Sequence, residues 1–134
     1  MTSTSRETTG SRPMGRIARR LIAVDVPASY REALPRRIVD PAYDTVADIR
    51  YSDLSPAEFM RLEPDTIVAP LLTKGFDAVE LAEYLATLDF RGLLIVVSDV
   101  LPNVSIVKRE VSRTAPRLML ELYELHGESG LRGI

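Results

Sequence analysis

Three short apolar runs, at residues 21–26 (LIAVDV), 66–72 (TIVAPLL) and 93–97 (LLIVV), constrain what this chain of 134 residues can become. They are too short to be helices buried on all sides, they are rich in Val and Ile, and stretches of helical period separate them. Runs of that kind are strands covered on both faces. A sheet covered on both faces needs helices above and below it, and the links between parallel strands must then be right-handed crossovers. A fourth run, TVADIRY at 45–51, alternates apolar and polar residues as a half-exposed edge strand does. The expected architecture is a doubly wound α/β sheet.

The intervening stretches carry helix signals. Ser55-Pro56-Ala57-Glu58 combines an N-cap serine, proline at the first helical position and glutamate at the third, which predicts a capping box. A helix over 77–88 gathers Ala78, Leu81, Ala82, Leu85 and Leu88 on one face. After Asn103, Val104, Val107 and Val111 recur at helical spacing until Pro116 stops the helix. A first helix near 28–34 is cut short by Pro35. Residues 117–125 (RLMLELYEL) alternate like a strand while their Leu, Met and Glu favour helix; their place in the order assigns them to a fifth strand. The economical arrangement is the flavodoxin-like strand order 2-1-3-4-5. Residues 126–134 are too polar and glycine-rich for a final amphipathic helix, so a fifth helix is expected to be missing. Its absence should bare an apolar face beside the first helix, to be covered by the segment around Ile17, a second copy or a partner.

One domain is expected over residues 17–126, because a single core suits a chain of roughly 100 to 200 residues. Residues 1–16 have almost no apolar content and read as a flexible tail, as do 127–134. A net charge of −2 provides no basic field for nucleic acid. With no cysteine, disulfides, thiol catalysis and thiolate zinc sites are excluded. No apolar run approaches the ~20 residues of a membrane span, and the start lacks the apolar stretch of a secretory signal, so a cytoplasmic protein is expected. His126, the single histidine, has no acidic cluster at ligand spacing. Arg19, Arg20, Arg36 and Arg37 read as solvated charge rather than a basic edge.

Residues 64–85, PDTIVAPLLTKGFDAVELAEYL, join several of these signals. A Pro-Asp pair precedes an apolar strand, a loop follows with Lys74, Gly75, Phe76 and Asp77, and Glu80, Leu81 and Leu85 open a helix. The stretch resembles the third strand, loop and third helix of response-regulator receiver domains (CheY-like), and the resemblance extends from about residue 20 to 125. In that family the strand ends in the aspartate that accepts phosphate. Counting back from Gly75, Pro70 holds that place. Asp25 matches one acidic position after the first strand, whereas Val26 stands where another carboxylate belongs; Ser98 matches the small hydroxyl residue after the fourth strand. No lysine follows Lys108, so the family's late lysine has no counterpart.

The resemblance therefore implies a pseudo-receiver. Phosphoryl transfer to a carboxylate needs a nucleophile, a Mg²⁺ held by acidic groups and a cation for the developing charge. Pro70, Val26 and the missing lysine each remove or weaken one of these. No cofactor and no catalysis are expected, and Asp25 alone would hold a metal at most weakly. The implied role is a non-catalytic interaction module in or beside two-component signalling, with a histidine kinase, a phosphotransfer protein, another receiver or a second copy as partner. The alternative is a small-molecule site in the crevice near Asp25, Pro70 and Ser98. A dehalogenase-type aspartate nucleophile at Asp25 fails on spacing, since Pro27 occupies the second acidic position. In purely structural terms Asp25 can cap the next helix, Ser98, Asp99 and Asn103 are loop and capping residues, and Gly75 is expected in a turn of positive φ.

Overall fold

The computed structural model describes residues 18–100 and 103–125. Five strands alternate with four helices: β1 (Arg20–Val24), α1 (Ala28–Ala33), β2 (Thr45–Ile49), α2 (Pro56–Leu62), β3 (Thr66–Pro70), α3 (Ala78–Thr87), β4 (Leu93–Ser98), α4 (Val104–Thr114) and β5 (Met119–Glu124), with one 3₁₀ turn at Tyr51–Asp53. All neighbouring strands are parallel and the order is β2-β1-β3-β4-β5, as expected from the sequence. The first and last strands of this order are edges, and β1, β3 and β4 carry the nearly continuous burial that their composition requires. The expected tails at 1–16 and 127–134, with Ile17 and His126, lie outside the described residues.

Two cores flank the sheet. On one face Ile22, Val24, Ile67, Ala69, Leu94 and Val96 pack against Ala78, Leu81, Ala82 and Leu85 of α3 and Val111 of α4. On the other, Leu21, Val68, Ile95 and Val97 pack beneath Ile38 and Val39, with Tyr30, Ala33 and Leu34 alongside. Helix α3 is positioned by a complete capping box: the Asp77 carboxylate accepts from the Glu80 amide at 2.8 Å, and Glu80 accepts from the Asp77 amide at 3.0 Å.

Several expectations change in detail. Strand β1 stops at Val24 rather than 26, because Asp25 turns into the left-handed region with φ 49°. Strand β3 stops at Pro70 rather than 72; Leu71 still donates to Val97 O at 3.0 Å, but Leu72 swings out, 73% exposed, to bridge Asp77. At Ser55 half of the expected box forms. Its hydroxyl accepts from the Glu58 amide at 3.1 Å, whereas the Glu58 carboxylate turns to Arg61 at 2.7 Å, an outward ion pair displacing the reciprocal bond. Leu88, expected on the buried face of α3, is only half-buried at its C-cap.

The face beside α1, expected to be bare, is packed by the chain itself. Helix α1 has only six residues, and the chain then folds back so that Ile38 and Val39 lie 2% and 5% exposed on the sheet. A buried carboxylate ties this segment down: Asp44 accepts from the amides of Arg19 (3.1 Å) and Asp40 (2.9 Å) and pairs with the Arg19 guanidinium at 3.8 Å. The same guanidinium donates to the carbonyls of Arg37 and Ile38. Arg37 in turn sits over the Tyr123 ring of β5, 4.9 Å from its centroid.

Candidate functional site

The carboxyl ends of β1, β3 and β4 lie side by side, where doubly wound sheets place ligands. At the exit of β1, Asp25 donates its amide to Ile49 O at 2.9 Å, and its carboxylate accepts from the Tyr51 amide at 2.8 Å. The residue therefore joins the ends of β1 and β2. It does not cap α1, whose N-cap is Pro27 with no side-chain bond. The reason is conformational: short acidic side chains tolerate left-handed φ, and from that conformation the carboxylate reaches across to the neighbouring strand. Val26, in place of a second carboxylate, packs on the α1-side core.

Pro70 ends β3, buried and in register with Val97. Proline is tolerated there because the bonds to β4 come from its neighbours, such as Leu71, while the pairing with β1 has already ended at Val68. Ser98 at the end of β4 spends its hydroxyl locally, donating to Val100 O at 2.8 Å and accepting from the Val100 amide at 3.3 Å. Beyond β5, Leu125 is buried and donates to Ser98 O at 2.7 Å. Glu121 is exposed and Tyr123 lies under Arg37.

The loop after β3 is a closed structure. Thr73 Oγ1 accepts from the amides of Gly75 (3.0 Å) and Phe76 (3.1 Å), and Thr73 N donates to Phe76 O at 2.9 Å. Gly75 does not take the positive φ expected of it, and a Cβ there would meet nothing nearer than Thr73 Oγ1 at 3.9 Å. Lys74 is exposed, while Asp77 serves α3 as its cap. Phe76, 3% exposed, stacks on Tyr51 with centroids 4.5 Å apart, and Tyr84 meets Tyr51 edge-on at 6.2 Å. Sequence reasoning passed over this aromatic cluster. The signal was the spacing of Tyr51, Phe76 and Tyr84 after β2, after β3 and within α3, which the topology brings together.

Burial raises the Tyr51 hydroxyl pKa above the ordinary tyrosine value, helped by the negative charges of Glu80, Glu83 and Asp77 and by Tyr84. Among the described residues no group of three or more His, Cys, Asp or Glu side chains is placed to hold a metal ion. A shallow cavity of about 210 Å³ opens beside Asp25, lined also by Ala23, Val26, Asp48, Ile49 and Arg50. It lies between the ends of β1 and β2, not at the β1/β3 crevice where Pro70 and Ser98 stand. Another, of about 230 Å³, lies at the opposite end of the sheet between Phe90, Ala115 and Arg117.

This strand order with its alternating helices is that of the response-regulator receiver fold. The receiver domain of the NarL response regulator from Mycobacterium tuberculosis superposes with a TM-score of 0.57 at 14% identity, covering 81% of this chain and 85% of that one. The response regulator domain of Thermotoga maritima CheB gives 0.57 at 19% identity, covering 84% of this chain and 81% of that one. A LuxR-family two-component response regulator from Aurantimonas sp. SI85-9A1 gives 0.55 at 16% identity, with 79% and 72% covered. No family model matches the sequence, and no curated protein matches it. At these identities the likeness lies in the fold. Among the described residues, no helix is long and apolar enough to cross a membrane.

Proposed function

We propose that this protein is a pseudo-receiver: a non-catalytic protein-interaction module in or beside two-component signalling, not phosphorylated at the strand ends. One observation carries the reading. The polar groups at the ends of β1 and β4 are drawn into bonds within the chain, one oxygen of the Asp25 carboxylate by the Tyr51 amide and the Ser98 hydroxyl by Val100, and between them stands Pro70 with no side-chain donor or acceptor. A phosphorylation centre must keep carboxylates free for Mg²⁺ and a nucleophile free to attack. The same bonding disfavours an enzyme, which would need a nucleophile, a base and a charge stabiliser facing a common point. A module of this kind acts through contacts, and a histidine kinase, a phosphotransfer protein or another receiver supplies the complementary surface.

The test is incubation with acetyl phosphate and Mg²⁺ followed by intact-mass measurement. The expected spectrum is the unmodified mass alone. A stable adduct of one phosphoryl group would refute the proposal. Titration against phosphotransfer proteins from two-component systems then measures the contact itself.

A second reading, a small-molecule site, has the cavity beside Asp25, Asp48 and Arg50 in its favour. Its volume of about 210 Å³ falls below the ~300 to 1,000 Å³ usual for ligand pockets. A thermal-shift screen of small anions and metabolites without a stabilising hit would leave that reading unsupported.

A further inference from the structure

Strand β5 is an edge: among the described residues it pairs with β4 alone, and on its α1 side Met119 is 65% exposed. An edge strand offers a row of unpaired backbone groups to any strand that fits it. We propose that β5 pairs antiparallel with β5 of a second copy about a two-fold axis at Leu122, making one sheet continuous across a dimer. The inference does not rest on the signalling reading.

Three properties of β5 bear on this partner and this register. The first is backbone polarity. Met119 N donates to Gly92 O at 2.8 Å and Leu125 N to Ser98 O at 2.7 Å, so the odd-numbered residues address β4. By strand alternation, Leu120, Leu122 and Glu124 direct their amides and carbonyls outward. With the two-fold axis at Leu122, Leu122 faces its own copy and Leu120 faces the partner's Glu124. All three outward residues then form doubly hydrogen-bonded pairs of the antiparallel ladder.

The second property is facing. A two-fold axis perpendicular to the sheet keeps each face with itself, so opposed residues must share a face. Leu120 and Leu122 both join the α3/α4 core, and Glu121 and Tyr123 belong to the opposite side, so the register satisfies this condition.

The third is charge. Moving the axis by one residue to Glu121 would set that carboxylate against its own copy, which destabilises a strand pair. With the axis at Leu122, Glu121 instead lies opposite the partner's Tyr123, whose ring already carries the Arg37 guanidinium at 4.9 Å. Glu121 has no ion pair among the described residues, and the dimer gives it one on each side of the axis. The other edge, β2, is less suited to a second copy. It is five residues long, and Asp48, one of its outward residues, is held by Arg31 at 3.1 Å.

The absence of native cysteine makes the register directly readable. In sedimentation velocity of the full chain, a concentration-dependent dimer is expected. Under mild oxidation Leu122→Cys should form a covalent dimer, since opposed residues of a hydrogen-bonded pair lie ~5.5 Å apart at Cα, within disulfide reach. Met119→Cys, near the end of the strand, should not. Glu121→Lys and Arg37→Glu should each weaken dimerisation several-fold, and the double variant should restore it. Glu124→Pro removes an outward amide without touching the β4 ladder, and should give a folded monomer by circular dichroism and sedimentation. A wild-type monomer at millimolar loading would overturn the proposal. So would a dimer in which the Leu122→Cys variant fails to cross-link, or one in which the Met119→Cys variant cross-links as readily. A double charge reversal no better than either single variant would also refute it.

Discussion

Asp25 shows how a residue chosen for chemistry can be held for structure. Its left-handed φ of 49° and its bond to the Tyr51 amide together fix the exits of β1 and β2. Asp25→Ala removes the acceptor and places a methyl side chain in a costly conformation, so a loss of about 1–3 kcal/mol is expected in urea unfolding. Asp25→Asn keeps both the acceptor and the tolerance of that φ and should lose much less. Tyr51 itself gives a pH signature. Because its folded pKa is raised, the folded state holds the phenolic proton more tightly than the unfolded chain does. Stability is therefore undiminished below the ordinary tyrosine pKa of about 10 and falls as pH rises through and beyond it. Tyr51→Phe keeps the stack on Phe76 and should flatten the alkaline decline of the melting temperature without changing it near neutrality. Neither role was visible in the linear chain. Asp25 announced itself as a strand-exit acid, but the partner amide lies 26 residues away and is brought close only by the β1–β2 pairing.

At the scale of elements, the strands and long helices were legible because burial on both faces leaves a compositional trace. The ends were not, since they are decided by single side chains. The α3 capping box is an instance: Asp77 and Glu80 have cap spacing, yet the motif divides them between a loop and a helix. Asp77→Ala should cost about 0.5–2 kcal/mol by thermal unfolding, in line with other lost caps. The two glycines in described loops make a sharper contrast. At Gly92 an added Cβ would lie 2.3 Å from Asp65 O and 2.7 Å from the Phe90 ring, a backbone collision at the start of β4. Gly92→Ala is expected to lower the melting temperature by several degrees, while Gly75→Ala, with free space around it, should leave it within a degree or two. The motif drew attention to Gly75, but backbone proximity makes Gly92 the demanding position, and proximity across strands leaves no mark in the sequence.

For the molecule as a whole, the stretch at 126–134 where a fifth helix was expected to be missing lies outside the described residues, but the expected bare face beside α1 is not what is found. The face beside α1 is packed by the segment between α1 and β2, for which the sequence predicts no element. That packing depends on the buried Asp44 carboxylate and Arg19. Removing the carboxylate leaves the Arg19 and Asp40 amides without their acceptor, so Asp44→Ala should cost about 1–3 kcal/mol and raise hydrogen exchange in β3 and β4 beneath Ile38 and Val39. The strand order has a consequence of another kind. β2 is laid against one side of β1 and β3 against the other, and β4 and β5 are then added outward in turn. Every strand after the first thus meets an edge already made by earlier residues. A chain emerging from the ribosome could build this sheet in the order in which it is translated, without holding a strand open for one not yet synthesised.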